Sequence, residues 1–409
     1  MSTSTSSFAG ETKNGGTRQR RQVDTSNKIE TNEKSAARKN KRKHRPTWKR
    51  LARFSLKHRW TIPLVPLVAF ILAYLLNPTE SNIVHRFLFL SYKFQQPGTK
   101  NPQYGKGLWD IAFVLFYTIF LSFTRELIMQ EFLRPLSVHY GIKSKAKQLR
   151  YMEQMYTVIY FGIMGPLGLY VMRHSVPEVW YFNTPGMYAS FPHRSHDAMF
   201  KFYYLFEAAY WAQQALVMIL GLEKPRKDYK ELVVHHVVTL ALIGLSYRFH
   251  FTYMGIAVYV THDISDFFLA VSLLSPPVLE REWSWLIEVD EFQVGKSLQY
   301  TDSDFVPPAF AVCVSAWIYL RHYLNLRILG SLLPGGAFQT VGPYELNWET
   351  QQYKCWISQI ITFGLLACLQ ALNLFWLYCL GRSVYRFLVY RVAKDDRSDD
   401  EEENVTPGN

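Results

Sequence analysis

The chain has 409 residues, 49% of them hydrophobic and 16% aromatic, a richer apolar content than a soluble core of this length needs. Its net charge of +12 lies in the first 60 residues, which hold 17 Lys and Arg against 4 Asp and Glu, while the remainder carries 28 against 29. A basic tail beside apolar spans marks a cytoplasmic flank facing anionic lipid rather than a nucleic-acid binder, and four cysteines in or beside apolar stretches, without paired spacing, argue against disulfides and zinc.

In chain order, residues 1–59 form a basic, polar tail without an apolar core of the kind a cleavable signal peptide has. Eight stretches then approach the roughly 20 apolar residues a transmembrane helix needs: 60–76, 108–129, 155–172, 202–222, 232–247, 253–274, 305–324 and 355–380. The second is trimmed by Asp110, Arg125 and Glu126, and the fifth is short. The mean hydropathy of -0.07 is near neutral only because polar ends dilute this apolar middle. The pattern predicts an all-α fold, a polytopic bundle of about eight membrane spans. Its expected parts are the tail 1–59, a first span with its lumenal loop over 60–107, a second span with a basic loop over 108–150, a catalytic membrane domain over 151–391 and an acidic tail over 392–409.

Lys and Arg accumulate in the short loops 134–150 and 223–230, and positive loops face the cytoplasm. An even number of spans then puts both termini in the cytoplasm. The opposing loops 174–197 and 330–353 are nearly free of Lys and Arg, although the loop 77–107 dissents with Arg86, Lys93, Lys100 and Lys106. In the terminal tail, Ser398 precedes Asp399, Asp400 and Glu401. That is a context for an acidophilic kinase, where phosphate would add negative charge near the membrane; a merely solubilising tail is the equal alternative.

Ionisable groups inside a bilayer cost several kcal/mol unless paired or hydrated, and the fifth and sixth spans hold the densest set. The fifth contains adjacent His235 and His236, and the sixth contains His262, Asp263 and Asp266. Adjacent helical histidines point about 100° apart, so one can react while the other orients. His262 and Asp266 are four residues apart and Asp263 and Asp266 three, so the three share a face roughly. At 1.5 Å per residue the histidine pair sits about 6 Å below the cytoplasmic surface, Asp266 about 12 Å and His262 about 18 Å. Joined by a short turn, the two helices are expected to be antiparallel neighbours whose histidines and carboxylates meet. Packing alone is the bland alternative, but this many groups on two spans exceeds what packing requires.

Histidine with aspartate, and no Ser or Cys nucleophile motif, suits acyl transfer by two routes. Histidine is either a general base on an attacking amine or alcohol, or itself carries the acyl group. In both, a carboxylate holds the tautomer and stabilises the imidazolium. Adjacent histidines do not supply the three- or four-residue helical spacing of a metal site, so no metal is expected. Glu207, with Tyr210 and Trp211, is a further buried-charge candidate for substrate binding in the fourth span, its alternative being a satisfied carboxylate near a span end.

The stretch from Asp228 through His235 and His236, followed by His262, Asp263 and Asp266, resembles the Lag motif of the TLC-domain ceramide synthases. The segments Gln351 to Trp356 and Trp317 to His322 resemble the fungal branch in particular. The resemblance covers roughly 108–391. It implies an N-acyltransferase of the endoplasmic reticulum membrane, with six spans forming a TLC-type barrel around the site and His235, His236, His262, Asp263 and Asp266 in the catalytic roles. It further implies acyl-CoA as co-substrate with no cofactor, a sphingoid base as acceptor, very long acyl chains, surrounding membrane lipid and a small single-span accessory subunit. A homodimer, or a heterodimer with a paralogue, is consistent with it, and nucleic acid is not a partner. CoA is polyanionic and cytosolic, so its thioester must reach a site near the cytoplasmic face. Arg134, Lys224, Arg226 and Lys227 flank that entry and either hold its phosphates or serve topology alone. A homeobox-like insert of animal relatives has no counterpart, and the acidic segment 288–304 matches nothing in the family pattern. A non-enzymatic TLC membrane factor and a proton-coupled lipid transporter are the competing classes; an inert scaffold would not need this histidine and aspartate set.

Overall fold

A computed structural model describes residues 58–95, 97, 101–222, 228–273 and 306–390. The 1–57 part of the basic tail, Lys224, Arg226, Lys227, Ser398 and the segment 288–304 lie outside the described residues. The fold is overwhelmingly helical: α1 Thr61–Leu75, α2 His85–Leu88, α3 Trp109–Leu127, α4 Arg134–His139, α5 Lys145–Ser175, α6 Ala198–Ile219, α7 Tyr229–Arg248, α8 Thr252–Leu273, α9 Val306–Ile318, α10 Asn325–Ser331, α11 Ala337–Thr340 and α12 Trp356–Tyr390.

Each of the eight apolar stretches is helical, but four helical runs among the described residues are long and apolar enough to cross a membrane: Trp109–His139, Lys145–Ser175, Thr252–Val271 and Trp356–Arg382. The other stretches fall short for visible reasons. α6 carries Lys201, Glu207 and Gln213 in its interior, α7 opens with Lys230 and Glu231 before its two histidines, and α1 and α9 are only 15 and 13 residues long. Two helices continue through π turns. Ile128–Leu133 joins α3 to α4, and Tyr319–Leu324 joins α9 to α10.

The all-α expectation misses one small sheet. In the loop between α2 and α3, Lys93 pairs with Tyr104 and Phe94 with Gln103 as antiparallel strands β1 and β2, and Tyr104 bridges on to His196. Two-residue strands carry no period that a sequence could display.

α8 is the central helix. It packs on α5 and α9, while α6 lies against α3, α5 and α7, and α12 covers α7. Close approach of α5 to α6 and α8 depends on Gly168, where a Cβ would fall 2.4 Å from Tyr203 Oη and 2.7 Å from Val260 Cγ2. The core is aromatic, with Tyr160, Tyr203, Tyr204, Tyr210 and Trp211 all buried.

The end of the bundle where α6 begins and α7 ends is closed by polar contacts. Lys201 Nζ lies 2.7 Å from Asp110 Oδ1, with neither side chain exposed beyond 2%, and donates to the carbonyls of Ser91 and Gly105. Asp110 also accepts from Tyr247 Oη at 2.7 Å and from the Gly107 amide at 2.9 Å. A buried ion pair persists only when further hydrogen bonds satisfy it, and this one ties the loop before α3 to α6 and α7.

Candidate active site

α7 and α8 do face each other, but across a cavity rather than in direct side-chain register. His235, Thr239, Leu242, Ile243 and Ser246 line it from α7; Met254, Gly255, Val258, Tyr259 and His262 line it from α8; Tyr204 and Trp211 of α6 and Leu366 and Leu369 of α12 complete it. Its volume, as room for a water-sized sphere, is about 50 Å³. Leu242, Ser246 and Met254 also line a second cavity, about 180 Å³ by the same measure, that Trp348, Tyr353 and Cys355 border. The two form one mostly apolar path with the histidines at one end. Gly255 lets Tyr204 approach α8, since a Cβ there would fall 2.1 Å from Tyr204 Oη.

Both adjacent histidines are buried. Their rings stand nearly perpendicular, 5.7 Å apart at 89°. Trp211 packs edge-on to both, and Trp376 of α12 closes on His235 at 5.2 Å. Trp376 is itself fixed, donating to Asp228 Oδ2 at 3.1 Å. His235 Nδ1 has no hydrogen-bond partner.

Backbone carbonyls hold the rings of the other two histidines. His236 Nδ1 lies 2.8 Å from Leu232 O, and His262 Nδ1 lies 2.8 Å from Val258 O. A carbonyl can only accept, so the neutral rings carry their proton on Nδ1 and leave Nε2 basic. His262 Nε2 is buried without a partner on the residue that borders the cavity.

The carboxylates diverge. Asp263 turns to α6, where its Oδ2 accepts from Tyr203 Oη at 2.8 Å, and its Oδ1 has no hydrogen-bond partner. Asp266 turns to the π turn after α9 and pairs with Arg321. Arg321 also donates to Ser265 Oγ at 2.6 Å and Asn373 Oδ1 at 3.1 Å. Leu320, Arg321 and His322 are consecutive and all buried. A regular helix would spread them over 200°; the wider π turn lets them point inward together.

Glu207 is fully buried on α6, its Oε1 accepting from Tyr160 Oη at 3.1 Å and its Oε2 bare. Tyr210 stacks on Tyr160 at 3.7 Å, one layer behind the cavity, whereas Trp211 borders it. Arg134 is exposed at the start of α4, away from this centre. Residue-type reasoning gave no role to Arg321, Asn373, Tyr203, Asp228 or Trp376. For Arg321 the signal was present, as a permanent charge within an apolar segment; the aromatic and amide partners stand in runs of similar residues and carry no signal of their own.

Membrane-length helices around an apolar cavity lined by His235 and His262 define an integral membrane protein with buried histidines. Residues 150–382 match the TLC domain of TRAM, LAG1 and CLN8 proteins. The chain is 51% identical over 357 residues to a sphingosine N-acyltransferase-like protein of Gibberella moniliformis, covering 86% of this chain and 85% of that one. It is 46% identical over 354 residues to the ceramide synthase LAG1 of Saccharomyces cerevisiae, covering 86% and 79%, and 45% identical over 352 residues to a sphingosine N-acyltransferase of Schizosaccharomyces pombe, covering 86% and 84%. The chain belongs to the TLC-domain family, within its sphingosine N-acyltransferase relatives.

Proposed function

We propose that the protein is a ceramide synthase, an acyl-CoA-dependent sphingosine N-acyltransferase that moves a very-long-chain acyl group onto the amine of a sphingoid base, without a cofactor or metal. The observation that carries this reading is the apolar path ending at two histidines with bare ring nitrogens, His235 and His262. The acyl chain lies along the path, which excludes water, and its carbonyl stands at the histidine end.

In this reading His235 is the group that reacts, as base or as acyl carrier, and His236 fixes its neighbour's orientation. His262 presents a basic Nε2 from the facing helix. Asp263 and Asp266 stabilise positive charge developing on the imidazoles. Trp211 shapes the head of the substrate site, with Glu207 and Tyr210 behind it. CoA stays at the cytoplasmic mouth, where Arg134 with Lys224, Arg226 and Lys227 engages its phosphates.

The wider setting follows from the same reading. All eight apolar helices cross the endoplasmic reticulum membrane, six of them surround the site as a barrel, and both termini lie in the cytoplasm. A small single-span subunit and a homodimer or paralogue heterodimer complete the assembly. Support comes from the helical state of each apolar stretch and from the basic loops.

The test is turnover by purified protein given acyl-CoA and a sphingoid base. Ceramide formation is expected, with His235→Ala and His236→Ala variants that insert normally losing about 10²-fold or more. Mass spectrometry after acyl-CoA alone separates the two routes, because an adduct on a span-five histidine identifies a carrier. Ceramide formed at the wild-type rate by both variants rules the assignment out.

A further inference from the structure

A long-chain primary amine has a pKa of about 10, so near neutrality it reaches the membrane as an ammonium ion. Its lone pair is then committed to a proton, and it cannot attack a carbonyl until that proton is removed. The described site contains a group suited to the task that neither the histidines nor Asp266 duplicates.

Glu207 lies on the α6 stripe that also carries Tyr204 and Trp211, three residues before it and four after, both of which border the cavity. Its side chain is 0% exposed, one oxygen is held by Tyr160, and Oε2 has no hydrogen-bond partner. Asp263, also 0% exposed, stands on α8 within electrostatic reach of it. Tyr203 holds one Asp263 oxygen and Oδ1 is bare. Tyr259, one turn earlier on α8, borders the cavity with an unpartnered hydroxyl.

Among the described residues neither acid forms an ion pair, in contrast to Asp266, whose charge Arg321 answers. Three buried oxygens of this set lack a hydrogen-bond partner, that of Tyr259 on the cavity lining and those of Glu207 and Asp263 one layer behind it. Asp110 differs, with the Lys201 ammonium against one oxygen and Tyr247 and the Gly107 amide donating to the other. The missing complement is a positively charged group with several N–H donors.

We propose that Glu207 and Asp263 form the ammonium-binding pair of the acceptor site and that Glu207 takes the first proton of the amine. The inference rests on the ceramide synthase reading and adds a proton acceptor to it. An N–H bond of the ammonium breaks and an O–H bond forms on Glu207. The freed lone pair attacks the acyl carbonyl carbon. As the amide forms, a second N–H proton leaves through imidazole and the bond to the leaving group breaks, so CoA departs as its thiol. Glu207 returns its proton to water, and one proton is released per ceramide.

The test uses Glu207→Gln, which keeps the volume and the acceptor for Tyr160 but cannot take a proton. At pH 7 its kcat/KM for the sphingoid base is expected to fall about 100-fold, with KM for acyl-CoA within about twofold of wild type. The loss should shrink about tenfold per pH unit as pH approaches the amine pKa, because bulk solvent then supplies free amine. Glu207→Asp should retain part of the activity. A loss equal at every pH, or shared by KM for acyl-CoA, reveals a structural role and overturns the proposal.

If Glu207→Gln does not fold, the wild-type profile decides. A kcat/KM for the amine that drops tenfold per unit below the amine pKa means that only free amine is used, which overturns the proposal; a shallower fall supports it. Wild-type protein that makes no amide sinks the ceramide synthase reading instead, whereas an active wild type with an unaltered Glu207→Gln sinks this inference alone.

Discussion

Arg321 and Asp266 meet inside the helical bundle from two different helices, and they meet because the helix carrying Arg321 widens into a π turn at that point. Ser265 and Asn373 take further donors of the same guanidinium. The charge of Asp266 is thereby answered, while Asp263 one turn away keeps a bare oxygen.

Removing Arg321 alone should be costly. Arg321→Met leaves Asp266, 20% exposed, without its cation, a loss of about 1–3 kcal/mol, read as a lower melting temperature in detergent. The double variant Arg321→Met with Asp266→Asn removes both charges and should recover most of that loss. A double variant as unstable as the single would show that the pair is not what stabilises the site.

The junction of the two cavities offers a second check. Ser246 borders both, about three turns or 16 Å from His235 along α7. Ser246→Phe should close the passage, so acyl-CoA chains that end within the first cavity remain substrates while very long ones lose activity by about tenfold or more. Measuring kcat/KM across chain lengths decides it, and an equal effect on all lengths refutes the path.

Lys201 and Asp110 form the other buried pair. Lys201→Met should destabilise the protein by about 3–5 kcal/mol and free the loop before α3, whose carbonyls at Ser91 and Gly105 it holds. Limited proteolysis within 92–107 should accelerate together with thermal inactivation. Unchanged cleavage would mean that the hairpin is held elsewhere.

The turns at this end predict a dependence on pH. His193 stacks on Tyr253 with Nδ1 3.0 Å from His250 O and Nε2 2.7 Å from Ala189 O, and as a neutral ring it donates to one of these carbonyls only. Burial lowers the His193 pKa to about 4, and burial with nearby Lys106 lowers that of His250 to about 3. An unfolded histidine titrates near 6.5, so below that pH the unfolded chain binds more protons than the folded one. Stability from these neutral rings is complete above about pH 6.5 and declines as pH falls toward 4 and then 3. Melting temperatures measured from pH 7.5 to 4 should fall, and His193→Gln should soften the acid limb; an acid limb identical in that variant refutes the assignment.

Much of this was legible in the residues, and the exceptions have physical causes. The sixth span, expected over 253–274, forms Thr252–Leu273, because a long apolar run bounded by a short turn leaves few alternatives. The third, expected over 155–172, begins ten residues earlier at Lys145, since a hydropathy window ends where polar residues start while the helix continues into them. The buried His235 and His236 were visible as adjacent ionisable groups in an apolar run. The destinations of their carboxylates were not, because whether Asp263 turns to Tyr203 and Asp266 to Arg321 depends on how α6 and α9 pack against α8.

The widened turn at Tyr319–Leu324 also fixes what lies beyond it. One residue more than a regular coil would use is accommodated there, so everything downstream is rotated by about 100° from where an unbroken helix would put it. Asn325 and Ile328 owe their interior positions to that offset. Excising a single amino acid from the turn would swing this polar amide toward lipid and withdraw the guanidinium at the same stroke, so the chain length of this short stretch is constrained as tightly as its composition.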